Sequence, residues 1–175
     1  GRRIGPRTSV AFFLGVHDID LIGWVTGARI TRVYSEATSK VLANIKALDT
    51  ILSVVRLDNG AVGCIETCWV IPEGAPNTLD ARFEVVGTRG RVAAQVGADE
   101  VMEAADTQRT RRPDMVYWTE VHGRAQGALP DQLEHFAECV RTGADPVISP
   151  QEARHAVEVA QAMHRSLETG APVCL

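Results

Sequence analysis

Three ionisable side chains crowd the start of an otherwise apolar segment, GVHDIDLIGWVTG at residues 15–27: His17, Asp18 and Asp20. An imidazole is the side chain whose ordinary titration range suits proton exchange at neutral pH, and a carboxylate beside it can orient the ring and stabilise its charged form. If a helix starts near His17, Asp20 lies one turn further along the same edge, since positions three apart are neighbours on a helix surface. His17 and Asp20 are therefore candidates for a proton-transfer pair. Spacing alone leaves a second reading open. Acidic residues favour a first helical turn for dipole reasons, and a lone histidine there can be purely structural.

The elements that would hold these groups follow from periodicity and turn chemistry. Ile19, Leu21, Ile22, Trp24 and Val25 cover much of the circumference of a helix started near His17, which predicts a largely buried helix. Gly27 is its C-terminal stop. Residues 28–38 are rich in β-branched side chains and read as a strand, whereas 39–48 carry no clear signal. Strands at 50–57 and 61–71, separated by Asp58-Asn59-Gly60, read as a hairpin because Asn-Gly supplies positive φ. Further strands are expected at 81–86, 91–96, 100–105 and 115–121, with exposed loops at 72–78 and 106–114. Successive strands without intervening helices pair antiparallel. Two helices close the chain. Leu133, Phe136, Ala137 and Val140 recur at helical spacing in the first, up to Gly143. The second opens on Ser149-Pro150-Gln151-Glu152, a capping box with proline at the first helical position, and carries Ala153, Ala156, Val157, Ala160, Met163 and Leu167 as a stripe up to Gly170. The expected architecture is α+β: a mostly antiparallel open sheet with the helices packed on one face.

Composition narrows the functional classes. The chain has 175 residues, 45% of them hydrophobic and 23% charged, which suits one domain with a sizeable core. A formal net charge of −4 gives no basic field for nucleic acid or an anionic membrane, and the basic run Arg109, Arg111, Arg112 reads as a solvated loop. No apolar run reaches membrane-spanning length and no leader-like opening occurs, so the cytoplasm is the default compartment. The cysteines Cys64, Cys68, Cys139 and Cys174 lack metal-finger and redox spacings and are expected as reduced, packed thiols. His135, His155 and His164 have no ligand-pair spacing and read as solvated or rim residues. No GxSxG elbow supports a hydrolase. No GxGxxG joins a strand to a helix either, so no ordinary dinucleotide-binding turn is present.

Four segments in order resemble one family. The HDID stretch at 17–20, LDNGAVGCIETCWVIP at 57–72, FEVVGTRGRVAA at 83–94 and the final QLEHFAECVRTGADPVISPQEARHAVEVAQAMHRSLETGAPVCL at 132–175 are similar to the C-terminal domain of the Gfo/Idh/MocA oxidoreductases. That resemblance implies a glyceraldehyde-3-phosphate dehydrogenase-like C-terminal fold over residues 1–175, excised from a parent whose N-terminal Rossmann domain holds NAD or NADP. No cofactor is then expected on these residues themselves. It implies a sugar or polyol substrate, homo-oligomers built on the open sheet face, and a lysine supplied by the missing half. His17 matches the histidine of the family's D-x-x-x-H pattern, which exchanges a proton with a sugar hydroxyl. Asp20 matches a substrate-facing position, and Trp69, at the hairpin exit, is placed to stack on a sugar face or to pack at the sheet rim. The departure is Phe13, where the pattern has aspartate. Asp18 or Asp20 substitutes for it, the chemistry leans on the absent lysine, or the parent has become a non-catalytic assembly module.

Overall fold

The computed structural model describes residues 2–72, 74–75, 80–96 and 116–175, and the backbone of 103–105 and 108–111. The chain divides into two compact units, Gly1–Val70 with Val147–Leu175, and Ile71–Pro146.

The first unit carries the site candidates. Its sheet is built from β1 (Ile30–Thr38), β2 (Thr50–Leu57), β3 (Val62–Cys68) and the short β10 (Val173–Cys174), in the order β10-β1-β2-β3 with every pairing antiparallel. The β2–β3 hairpin forms at the expected residues. Its three-residue connection closes with Gly60 N–H donating to the Leu57 carbonyl at 3.0 Å, and only Gly60 takes positive φ, 87°, a position glycine occupies at no steric cost. Strand alternation sends Val33, Ser35, Ile51, Ser53, Val55, Ile65 and Thr67 inward. Onto this face pack α3 (Pro150–Thr169), over β1, and the helical turn Ala11–Gly15, over β3, with α1 (Val16–Thr26) set against α3, so the α+β expectation of antiparallel strands under helices is met.

Helix α3 starts as its sequence requires. Ser149 Oγ accepts the Glu152 N–H at 3.2 Å while the Glu152 carboxylate accepts the Ser149 N–H at 2.7 Å, and Gly170 stops the helix at φ 65°. Its buried line is Ala156, Val159, Ala160, Ala162, Met163 and Ser166, and Ala153 and Val157 of the expected stripe face outward instead. Small side chains let α3 approach β1 closely. Ser166 Oγ accepts the Ser35 N–H at 3.0 Å and donates to the Ala171 carbonyl at 2.8 Å, while the Ser35 and Ser53 hydroxyls bond each other at 2.7 Å. The polar atoms under the helix are thereby satisfied internally, as burial demands.

The stretch 39–48, without a clear signal in the sequence, is a loop with a single 3-10 turn at Ala43–Ile45, organised by a buried carboxylate. Asp49 accepts N–H bonds from Lys40, Val41 and Leu42 at 2.6, 2.8 and 2.9 Å. Burial pushes its carboxyl up, yet these three donors outweigh that and hold it below the usual carboxylate value.

In the second unit, β4 (Ala81–Gly87) pairs with β5 (Gly90–Val96), β6 (Glu103–Ala105) with β7 (Gln108–Arg111), and β8 (Thr119–Val121) with β9 (Arg124–Gln126); α2 (Ala128–Thr142) packs against β9. The described strands thus fall into one four-stranded and three two-stranded sheets. β7 runs through part of the expected loop at 106–114, whose residues 106, 107 and 112–114 lie outside the described set. Residues 116–118, expected in a strand, form a bend whose Val116 and Tyr117 carbonyls accept the first N–H groups of α2, from Ala128 and Leu129. The residues 100–102 and 115 of the other expected strands also lie outside the described set. The cysteines are all free thiols; Cys139 is buried as expected, but Cys64, Cys68 and Cys174 are exposed, because strand alternation turns them to the uncovered sheet face.

Candidate active site on the N-terminal helix

The helix that carries His17 does not begin there. It is continuous from Val10, and residues Ala11–Gly15 form a π-helical turn that runs directly into α1. The Val16 N–H donates to the Ala11 carbonyl five residues back, whereas the Phe13 N–H donates to Ser9 four back at 3.0 Å. The cause is packing. Val10 and Ala11 are fully buried in the core, and a Cβ added to Gly15 would lie 3.2 Å from Thr67 Cγ2, so the chain meets β3 closely at Gly15. One extra residue in that turn reconciles the buried N-terminal end with the exit of α1. Such π turns concentrate at functional sites.

His17 therefore lies beyond the irregular turn, part-way along a continuous helix. The largely buried helix expected from composition is corrected too. In α1 only Ile19 is buried, and Trp24 is 77% exposed. His17 itself is exposed and has no hydrogen-bond partner among the described residues, which leaves its ring free to meet a hydroxyl. Asp18 and Asp20 are half-buried. Burial raises the Asp18 carboxyl above its usual value, and the neighbouring His17 charge works against that rise. Asp18 is thus the carboxylate whose ionisation is tied to His17, a coupling that helical spacing did not reveal because adjacent residues do not share a helix face.

Phe13 and Trp69 come together. Their ring centroids are 6.4 Å apart with planes tilted by 47°, and Phe13 stays 46% exposed. The Trp69 indole N–H donates to the Leu48 carbonyl at 2.7 Å, at the end of the loop that Asp49 pins. That bond fixes the ring and consumes its only polar group. The pair forms an apolar wall one turn before His17, on the side where the family pattern has an aspartate.

Sequence reasoning missed a second histidine cluster. Ser9 Oγ and His164 Nε2 are 2.6 Å apart, and the Phe12 and His164 rings stack with centroids at 5.4 Å and planes within 6°. The partners are separated by 155 positions, so no local signal marks them. His164 and His155 are partly buried, at the rim and not fully solvated, and burial lowers both below the ordinary imidazole value; for His164 the Glu168 carboxylate offsets part of this, and for His155 the Arg29 charge adds to it. The native state then binds fewer protons than the unfolded chain at pH values below 6.5, so this stability is complete above that point and is lost as pH falls beneath it. Thermal unfolding should show a larger drop in Tm between pH 7.5 and 5.5 for the wild type than for His164→Gln; equal drops would remove His164 from the acid sensitivity. The cavity beside this cluster, about 540 Å³ and lined by Phe12, Gln161, His164, Arg165 and neighbouring acids of α3, contains none of His17, Asp20 or Trp69.

All strand pairings among the described residues are antiparallel, and the N-terminal amides of α3 are capped by Ser149 beside the Glu152 carboxylate. No group of three or more His, Cys, Asp or Glu suited to a metal occurs among the described residues, and no described helix is long and apolar enough to cross a membrane.

With this geometry in view, the relatives decide the family. The model for the Gfo/Idh/MocA "Oxidoreductase family, C-terminal alpha/beta domain" matches residues 6–175. The chain belongs to the Gfo/Idh/MocA oxidoreductase family. It is 30% identical to the scyllo-inositol 2-dehydrogenase (NAD(+)) of Bacillus subtilis over 174 residues, covering 91% of this chain and 46% of that protein. It is 28% identical to the myo-inositol 2-dehydrogenase of Thermotoga maritima over 167 residues, covering 93% of this chain and 48% of that protein. The structure of GenD2 from gentamicin A biosynthesis, in complex with NAD, superimposes with a TM-score of 0.77 at 22% identity, over 95% of this chain and 48% of that one; this likeness shows the fold. The chain spans about half the length of the curated Gfo/Idh/MocA relatives it matches, as a C-terminal domain of that family does.

Proposed function

We propose that these residues are the substrate-facing and self-associating half of a nicotinamide-dependent dehydrogenase acting on a polyol, sugar or related hydroxyl compound. The observation that carries this reading is His17, exposed on α1 and without a hydrogen-bond partner among the described residues, with the Phe13–Trp69 wall one turn away. The imidazole takes the proton of the hydroxyl being oxidised, or returns it in reduction, and the half-buried carboxylates Asp18 and Asp20 steer the ring or bind a neighbouring hydroxyl. Trp69 and Phe13 offer apolar surface to the C–H face of a sugar ring. NAD or NADP supplies the redox chemistry from outside residues 1–175. The inositol dehydrogenases among the relatives support a cyclic polyol as the first compound to test.

Self-association uses the sheet face opposite α1 and α3, where Leu52, Val54 and Val62 are exposed.

A second reading rests on Phe13. With no carboxylate at that position, the fold serves as a binding or assembly module without chemistry. Initial rates of the full-length protein with NAD or NADP and a panel of inositols and aldoses separate the two. Turnover of at least one polyol is expected. Polyol binding by calorimetry without reduction of either cofactor would favour the assembly module.

A further inference from the structure

Among the described residues no cation pairs with the Asp49 carboxylate, although the residue is only 5% exposed. Its charge is met by backbone alone: Oδ2 accepts the Lys40 and Val41 N–H groups, and Oδ1 accepts that of Leu42. An ionised carboxylate offers acceptors and no donor, so three converging N–H groups fix its orientation.

Around it the loop is closed at further points. The Ser39 hydroxyl donates to the Ala47 carbonyl at 2.6 Å, the Ala47 N–H to the Leu42 carbonyl at 3.3 Å, and the Asp49 N–H to the Thr38 carbonyl at 2.8 Å. Lys46 is held at φ 56°, a left-handed conformation that costs a non-glycine residue energy and persists where its surroundings impose it. This braced segment presents two consecutive carbonyls to one side chain and its backbone. Leu48 accepts the Trp69 indole N–H at 2.7 Å, and Asp49 accepts the Trp69 backbone N–H at 3.3 Å. Both donors of Trp69 thus end on the braced segment, and the ring set in this way meets Phe13 one turn before His17.

We propose that Asp49 is a positioning residue for the substrate: through the Leu48 and Asp49 carbonyls it holds the Trp69 ring in the orientation that receives the C–H face of the bound polyol or sugar. The proposal rests on the reading of His17, Phe13 and Trp69 given above and adds the residue that presets the wall. A preset ring does not have to be ordered when substrate arrives, and ordering a side chain on binding lowers affinity. Proton exchange takes place at His17 on α1, so releasing the ring weakens binding and spares the chemical step. KM and kcat therefore separate.

Steady-state kinetics of the full-length protein with inositols test this, with calorimetric titration of the same compounds as a second reading. Asp49→Asn turns one acceptor into a donor facing backbone donors. It should raise KM and the polyol Kd roughly twofold to tenfold, the cost of ordering one released side chain, with little change in kcat. Trp69→Phe keeps an apolar ring but loses the bond to Leu48, and should raise KM in the same range, which tests the link even if the loop variant folds poorly. In a Trp69→Ala background Asp49→Asn should add little, because residues that act through one another are not additive. A KM that ignores either Asp49→Asn or Trp69→Phe, a shift that persists undiminished in the Trp69→Ala background, or a fall in kcat alone would overturn the positioning role while leaving the reading of the site in place. Absence of both turnover and binding with every inositol and aldose would overturn the two together.

Discussion

If the full-length protein is the proposed dehydrogenase, replacing its His17 by alanine is expected to lower turnover by about a hundredfold to ten-thousandfold, the range in which general acid–base groups act, with little change in cofactor affinity. The ring is exposed and without a hydrogen-bond partner among the described residues, so its removal leaves no buried group unsatisfied and the fold intact. A loss of kcat therefore reports on proton exchange and not on unfolding. Phe13 points to the lower part of the range, because the position that would orient the imidazole offers only a ring packed on Trp69. Comparing Asp18→Asn with Asp20→Asn identifies the orienting carboxylate. Asp18 carries a raised carboxyl pKa that the His17 charge opposes, so its amide should shift the acid limb of the pH–rate profile, whereas Asp20→Asn should act mainly on KM. Near-normal turnover of His17→Ala would reassign the residue to structure and advance the assembly reading.

The largest stability loss should come from Met163→Ala. Met163 is fully buried on the inward line of α3, within the cluster that includes Val33, Ile51, Val55 and Val159. Truncation removes transfer free energy and leaves a cavity, together costing about 2–5 kcal/mol. The unbranched side chain fills an irregular space that Leu can share, so Met163→Leu should cost less than about 1.5 kcal/mol. Denaturant midpoints at unchanged m-value would measure both. A loss below that of the leucine variant would mean that α3 settles onto β1 and closes the space.

What the sequence made legible was local. Asp58-Asn59-Gly60 dictated the hairpin, and Ser149 to Glu152 dictated the start of α3, because each motif satisfies its own backbone groups within a few residues. Successive strand signals without intervening helices implied antiparallel pairing under helices, as found. What stayed hidden was set by distant partners. The inward face of α3 is rotated from its apolar stripe because Ser166 gains its place through the Ser35 N–H, a bond across 131 positions. Asp49 gave no signal as the organiser of a loop, since its three donors belong to residues with no pattern of their own. His17 and Trp69 were identifiable as site candidates; the π turn before His17 was not, because it arises from burial of Val10 and Ala11 and from Gly15 meeting Thr67.

That turn has an evolutionary reading. A π turn is equivalent to a one-residue insertion in an α-helix, held in place by the packing at its two ends. Deleting Leu14 would let the backbone close into ordinary α-helix with Val10 and His17 kept nearly in their present phase, because the widened turn absorbs about one residue's rotation, roughly 100°. Loss of that one residue is therefore the length change this stretch can absorb among descendants of this chain, whereas a second deletion would swing His17 by roughly 100° relative to the buried Val10 end.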